Sequence, residues 1–199
     1  MKKNQMMKFA MVMTLALATT AAFAQKTVTL QSGTTNVALS SAFLDALQSL
    51  NIAPGVVYPT ILSGTKTVTA NFPIGSGGID LVTALGNIDH QGGLTLSSST
   101  TVVALQDFII DTTGKSPVIT GLAVVNGGLV GRITLFDLVL NAKPPLTLQA
   151  GLALYLPDVV ATLDAQAAST LNSVFGTTGF KAGLSIGTAK VIGLTGGVQ

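Results

Sequence analysis

His90 is the only imidazole in the chain, and it stands in the segment Gly86-Asn87-Ile88-Asp89-His90-Gln91-Gly92-Gly93-Leu94. The glycines and Asn87 predict a turn, with His90 at its mouth. An imidazole so placed can ligate a metal or a haem iron, or hydrogen-bond another ligand. It can equally pin the turn by bonding backbone carbonyls. Asp80 and Asp89 are near enough in sequence to complete a metal site with it. The two tyrosines are the other candidate ligands. Tyr58 lies between Val57 and Pro59 in an extended segment, and Tyr155 projects from the polar side of a leucine-alternating run. A tyrosinate can serve as an axial haem ligand, or a tyrosine can cover apolar surface with its hydroxyl in water.

Other reactive groups are sparse. The chain has neither glutamate nor cysteine, so acid–base and nucleophilic work would fall to eight aspartates, the hydroxyl residues and His90. It has no Gly-x-Ser-x-Gly elbow, no Gly-x-x-x-x-Gly-Lys phosphate loop and no Gly-x-Gly-x-x-Gly following a strand. A non-enzymatic protein is the expectation. Asp107, Asp111 and Asp137 are candidates for a hard-cation site. They occur in two octets thirty residues apart that echo each other, Leu105 to Thr112 and Leu135 to Ala142. If the octets are neighbouring strands the carboxylates approach; without a cation, like charges would be spaced around the rim.

The elements that must position these residues are mostly strands. Val28 and Leu30 alternate with threonines, as do Val68, Ala70, Phe72 and Ile74, and the leucines from Leu146 to Leu156 share one face. Further strands are predicted over Val118 to Asn126, Leu129 to Asn141 and Leu184 to Leu194, with shorter pieces around Leu81 and Leu94. The run Thr101 to Thr112 is apolar on both faces, which places it centrally. Turns are predicted at Gly75 to Gly78, at Gly92-Gly93 and at Asn126-Gly127, a strong hairpin signal because both residues tolerate positive φ. Two segments have helical spacing. Ser40 or Ser41 can cap a helix with Phe43, Leu47 and Leu50 on one side. Pro157 to Phe175 carries an apolar stripe, starts at Pro157 and Asp158, and stops at Gly176. The predicted fold is mainly β with some α: an antiparallel β-sandwich or strongly twisted sheets, with two short amphipathic helices packed on them.

The first 24 residues predict export. Lys2, Lys3 and Lys8 precede an apolar run from Phe9 to Ala22, and Ala22-Phe23-Ala24 offers a cleavage site before Gln25. The run is shorter than the roughly 20 residues a membrane span needs, so no transmembrane anchor is expected. Residues 25–199 are read as one domain, secreted or periplasmic. That mature chain has seven basic residues against eight aspartates, so the basic pI belongs to the leader. No electrostatic footprint for nucleic acid or anionic lipid remains. Low charge on Thr- and Gly-rich strands is compatible with self-association.

The order of these features resembles the HtaA-type domain of bacterial haem-uptake surface proteins. Ser41-Ala42-Phe43 matches the family's Ser-x-Phe helix, Tyr58-Pro59 its next extended segment, and Ala165 to Phe175 its late alanine-rich helix. The most specific match is Gly86 to Leu94, which follows the pattern Gly-x-aliphatic-x-His-x-Gly-x-Leu. The resemblance implies a β-rich ligand-binding fold, haem as the candidate cofactor, and His90 as a support for the haem site. The family's haem-ligating tyrosine belongs to the first helix, where this chain has Leu44, Asp45, Ala46 and Leu47. The family's tryptophan is missing too. The resemblance therefore predicts the fold together with weak or absent haem binding. A structural or adhesive surface protein that self-associates through its strands is the alternative.

Overall fold

The computed structural model describes residues 27–196, so the leader and its cleavage site lie outside the described residues. The first strand, β1 (Thr27–Leu39), is followed by helix α1 (Ser41–Ser49), two short strands β2 (Ala53–Val57) and β3 (Ile61–Ser63), and the long β4 (Thr69–Asp80). Next come β5 (Gly86–His90), β6 (Gly93–Ser97), β7 (Val102–Asp111), β8 (Val118–Val125) and β9 (Gly128–Val139). The chain ends with β10 (Leu148–Gln149), β11 (Ala153–Leu163), helix α2 (Ala165–Phe175) and β12 (Ser185–Thr195). No helix among the described residues is long and apolar enough to cross a membrane.

Neighbouring strands pair antiparallel, and the pairings run in a circle. β1 bonds β4, β4 bonds β5, β5 bonds β7, and β7 bonds β8. The circuit continues through β9, β11 and β12, and β12 returns to β1. The sheet thus closes on itself as a flattened, barrel-like sandwich of eight strands, compatible with the expected antiparallel sandwich and adding to it the closure of the ring. Alternation within a strand cannot distinguish open from closed sheets, because each buries one face. What closes the ring is β7, which pairs β8 along one edge and, along the other, β5 over Ile109–Asp111 and β6 over Val102–Gln106.

Inward residues alternate along each strand, and the phase switches at bulges in β1, β7 and β11. β1 buries Val28, Leu30, Thr35 and Leu39, β7 buries Val103, Leu105, Phe108 and Ile110, and β11 buries Leu154, Leu156, Val159 and Ala161. Three phenylalanines cross the middle edge to face: Phe72 and Phe108 at 5.3 Å, Phe108 and Phe136 at 6.3 Å. The helices are added outside the ladders. Ser40 Oγ accepts the Phe43 N–H at 3.0 Å and starts α1, which buries Phe43 and Leu47. Each such side chain contributes roughly 1.5–3 kcal/mol of burial, so a charge at Leu47 would detach the helix. Asp164 caps α2 through the Gln166 and Ala167 N–H groups, and α2 buries Ala167, Ala168 and Leu171.

Four local expectations change. Gly75 to Gly78 is no turn but the interior of β4. A Cβ on Gly77 would lie 2.8 Å from the Asn87 carbonyl oxygen, so glycine there permits close approach of β5. Leu81 is not in a strand. It enters a tight turn whose Val82 and Thr83 N–H groups are held by the Asp80 carboxylate. Pro157 does not begin a helix: β11 continues to Leu163 over Val159, Val160 and Thr162, whose branched side chains favour strand, and the helix waits for its cap at Asp164. The echoing octets do not pair, since β8 lies between them. Asn126-Gly127 does form the expected two-residue hairpin, with φ of 49° and 82°.

Candidate functional site

His90 ends β5 opposite Ile74 of β4, and its ring points into the barrel interior, where only 6 % of the residue is exposed. The turn expected at Gly92 is a bulge in the wall: β5 ends at His90, β6 begins at Gly93, and both continue along β7. Inside, His90 Nε2 lies 2.7 Å from Thr35 Oγ1 and Nδ1 lies 3.3 Å from the Phe108 carbonyl oxygen. A carbonyl only accepts, so the pattern assigns the proton to Nδ1 and leaves Nε2 to accept the Thr35 hydroxyl. Both nitrogens are used. Burial pushes the His90 pKa down to about 4, against the opposing pull of the Phe108 carbonyl and the Asp89 charge. The imidazole is neutral at pH 7.

The space beside this ring is small. A cavity of about 40 Å³ is lined by Thr35, Phe72, His90, Phe108 and Phe136 among other apolar side chains. That volume suits one or a few waters, whereas sites for drug-sized ligands occupy roughly 300–1,000 Å³. A haem does not fit it.

Tyr58 is not brought to His90. It is 87 % exposed after the end of β2, with its ring in solvent while His90 faces inward. Asp80 and Asp89 do not join His90 in a metal site. Asp80 Oδ1 is taken by the Val82 and Thr83 N–H groups and the Thr83 hydroxyl, and its Oδ2 is buried without a partner. The Thr83 N–H is the largest cause of its lowered pKa. Asp89 Oδ2 accepts the Ser76 hydroxyl at 2.6 Å. No group of three potential metal ligands gathers among the described residues. Asp111 and Asp137 both stand opposite Val118, one on each side of β8, about 10 Å apart by strand spacing. One cation with ligands at roughly 2.3–2.6 Å cannot bridge them. Asp111 instead accepts the Thr113 hydroxyl, which with the Thr113 N–H lowers its pKa. Asp107 sits in a bulge of β7 with φ 52°, and its carbonyl accepts Arg132 Nη1. In α1, Phe43 and Leu47 face the core, Leu44 and Ala46 are half-buried, and Asp45 faces water.

One concavity was not foreseen as a unit. On the outer wall, β4, β1, β12 and β11 enclose an open groove of about 380 Å³ lined by Asn36, Thr69, Tyr155, Asp158, Thr188 and Lys190. These residues are scattered along the sequence. Of the signals that locate them, only Tyr155 is readable from alternation. The groove depends on the strand register, which sets Asn36 against Lys190 and Ala38 between Thr69 and Thr188.

No protein-family model and no curated protein matches the chain. Solved structures do. The C-terminal domain of HtaA from Corynebacterium glutamicum superposes with a TM-score of 0.63 at 12 % identity, over 85 % of this chain and 99 % of that one. The N-terminal domain of the same protein gives 0.57 at 13 % identity, over 83 % and 97 %. The heme-binding protein HtaB of that organism gives 0.52 at 12 % identity, over 85 % and 95 %. Identity this low speaks to architecture alone, and on that ground the chain has an HtaA-type fold in divergent form.

Proposed function

We propose that the chain is an exported, non-enzymatic binding domain built on the HtaA-type fold, in which haem affinity is weak or lost. The likeness to HtaB, a heme-binding protein, supports a binding role over a catalytic one. The observation that carries the second half is the state of His90: sealed inside, neutral, with both nitrogens spent and about 40 Å³ beside it. The first helix has no tyrosine to ligate ferric iron, and Tyr58 stands in open solvent. Haemin titration of the wild type, His90→Ala and Tyr58→Phe tests this. The expected result is no saturable tight binding and no Soret band characteristic of a single ligated site in any of the three. Tight binding lost in Tyr58→Phe would overturn the proposal by identifying the phenol as ligand. Tight binding lost only in His90→Ala would overturn it by showing that the interior opens. For export, the protein recovered from periplasm or medium is expected to begin at Gln25, and a retained leader there would sink that part.

A structural or adhesive role has one observation of its own. Val56, Tyr58, Ile61 and Leu62, all exposed apolar residues, crowd into the short excursion formed by β2 and β3. Concentration-dependent oligomers in sedimentation, abolished by Ile61→Lys, would favour it.

A further inference from the structure

The outer groove has the makings of a binding site that the haem question does not touch. Its floor is low because Ala38 of β1 stands between two short neighbours, Thr69 of β4 and Thr188 of β12. One wall is raised by a bulge in β11. Between Leu156 and Val159 the register with β12 shifts, and the inserted Pro157 and Asp158 lie beside Lys190, with Asp158 at φ 52°. The bulge is tied down at its back, where the Asp158 carbonyl accepts Asn141 Nδ2 at 2.7 Å. Tyr155 lies half-buried on the same face and lines the groove beside Pro157, giving it an aromatic and an aliphatic surface.

The polar groups of this groove are unspent. Among the described residues, neither Lys190 nor Asp158 has an ion-pair or side-chain partner, although they share the groove. The Tyr155 hydroxyl has none either. Asn36 is not part of this set: its amide N–H goes to Asn71 Oδ1 at 2.6 Å, and its Oδ1 is buried beneath the surface. Inside the barrel every polar group that faces the cavity is paired; here donors and acceptors of both signs are left for something else. The two charges cancel, which disfavours polyanions. Solvent-exposed charges of this kind are largely screened by water, so a small zwitterion would gain little. A ligand with many hydroxyls and an apolar ring face gains from the whole set.

We propose that this groove binds a neutral saccharide. One pyranose ring lies against Tyr155 and Pro157, and its hydroxyls bond Asp158, Lys190 and the threonine rim. Recognition by an open wall, without enclosure, implies affinity in the millimolar range for a disaccharide and access to internal units of a chain.

The test is titration of the full mature chain with cellobiose, maltotriose and N,N′-diacetylchitobiose, followed by backbone amide NMR shifts. At least one of the three is expected to shift amides of β1, β11 and β12 saturably. Tyr155→Ala should weaken that binding tenfold or more, and Tyr155→Phe by less than about threefold. Ala38→Phe, which fills the floor and leaves every proposed contact residue in place, should abolish it, with an unchanged amide spectrum elsewhere showing that the fold persists. No saccharide response in this panel would overturn the proposal. So would a response that survives both Tyr155→Ala and Ala38→Phe. Glycine betaine, a zwitterion, is the control, and its binding in the groove in place of the sugars would overturn the assignment of ligand class.

Discussion

Strand β1 presents two rows of side chains to two different environments. Inward, Thr35, Val37 and Leu39 line the cavity that His90 shares; outward, Asn36 and Ala38 belong to the groove on the wall. The inward row meets His90, the residue that looks most like chemistry in the sequence, and its hydrogen bonds are consumed: Thr35 to His90, His90 to Phe108. The outward row carries residues of unremarkable type whose neighbours keep their donors and acceptors free. His90 offsets the cost of its burial by pairing both nitrogens, and once paired it has nothing left to bind with. A group at the surface is under no such demand. The more reactive residue type is therefore in the less reactive place.

The largest test of this contrast is packing. Phe108 sits between Phe72 and Phe136 and its backbone carbonyl holds His90. Phe108→Ala is expected to cost about 3–5 kcal/mol in denaturant unfolding. A loss below about 1 kcal/mol would mean that the interior is far less closely packed than described.

Next comes the acid limb of stability. The unfolded His90 takes a proton near 6.5, the folded one near 4. Between those values the unfolded state binds more protons. The stability tied to neutral His90 is thus fully present above pH 6.5 and is lost as pH falls toward 4, by roughly 3 kcal/mol in all. Replacement of His90 by leucine should flatten the curve across that window in urea titrations at stepped pH. The same slope in both proteins would place the ring in water. Asp80, held low chiefly by the Thr83 N–H, and Asp111, held low chiefly by the Thr113 hydroxyl, act at more acid pH: their contributions are lost as pH falls through and below the ordinary carboxylate range.

The smallest effect belongs to the outer wall. Lys190→Ala should change stability by less than about 0.5 kcal/mol, since an exposed, unpaired lysine holds nothing in the fold. A cost above about 1 kcal/mol would show that the lysine is part of the scaffold, and would weaken the groove as a site.

Local chemistry was legible where the partners are near in sequence. Ser40 as a cap, Gly176 as a stop, Asn126-Gly127 as a hairpin and the alternation of β1 and β4 all follow from a few neighbouring residues, whereas β7, read as apolar on both faces, buries only one. Legibility failed where a distant strand decides. Gly75 to Gly78 has turn composition, yet β1 and β5 pair along it and hold it extended. Pro157 has the look of a helix start, yet β12 continues the ladder beyond it. The Gly86 to Leu94 pattern indicated the HtaA-type fold, but it could not say whether His90 faced in or out.

The sequence by itself determined that this chain is β-rich, that it carries two helices, the first capped at Ser40, and which residues share a side between one bulge and the next. Only the tertiary structure decided which side is the inside. Period two sorts residues into two faces without naming either. Closure of the ring through β12 and β1, made by backbone hydrogen bonds that any residue but proline can donate, turns one face into a sealed interior around His90 and the other into an open wall beside Tyr155.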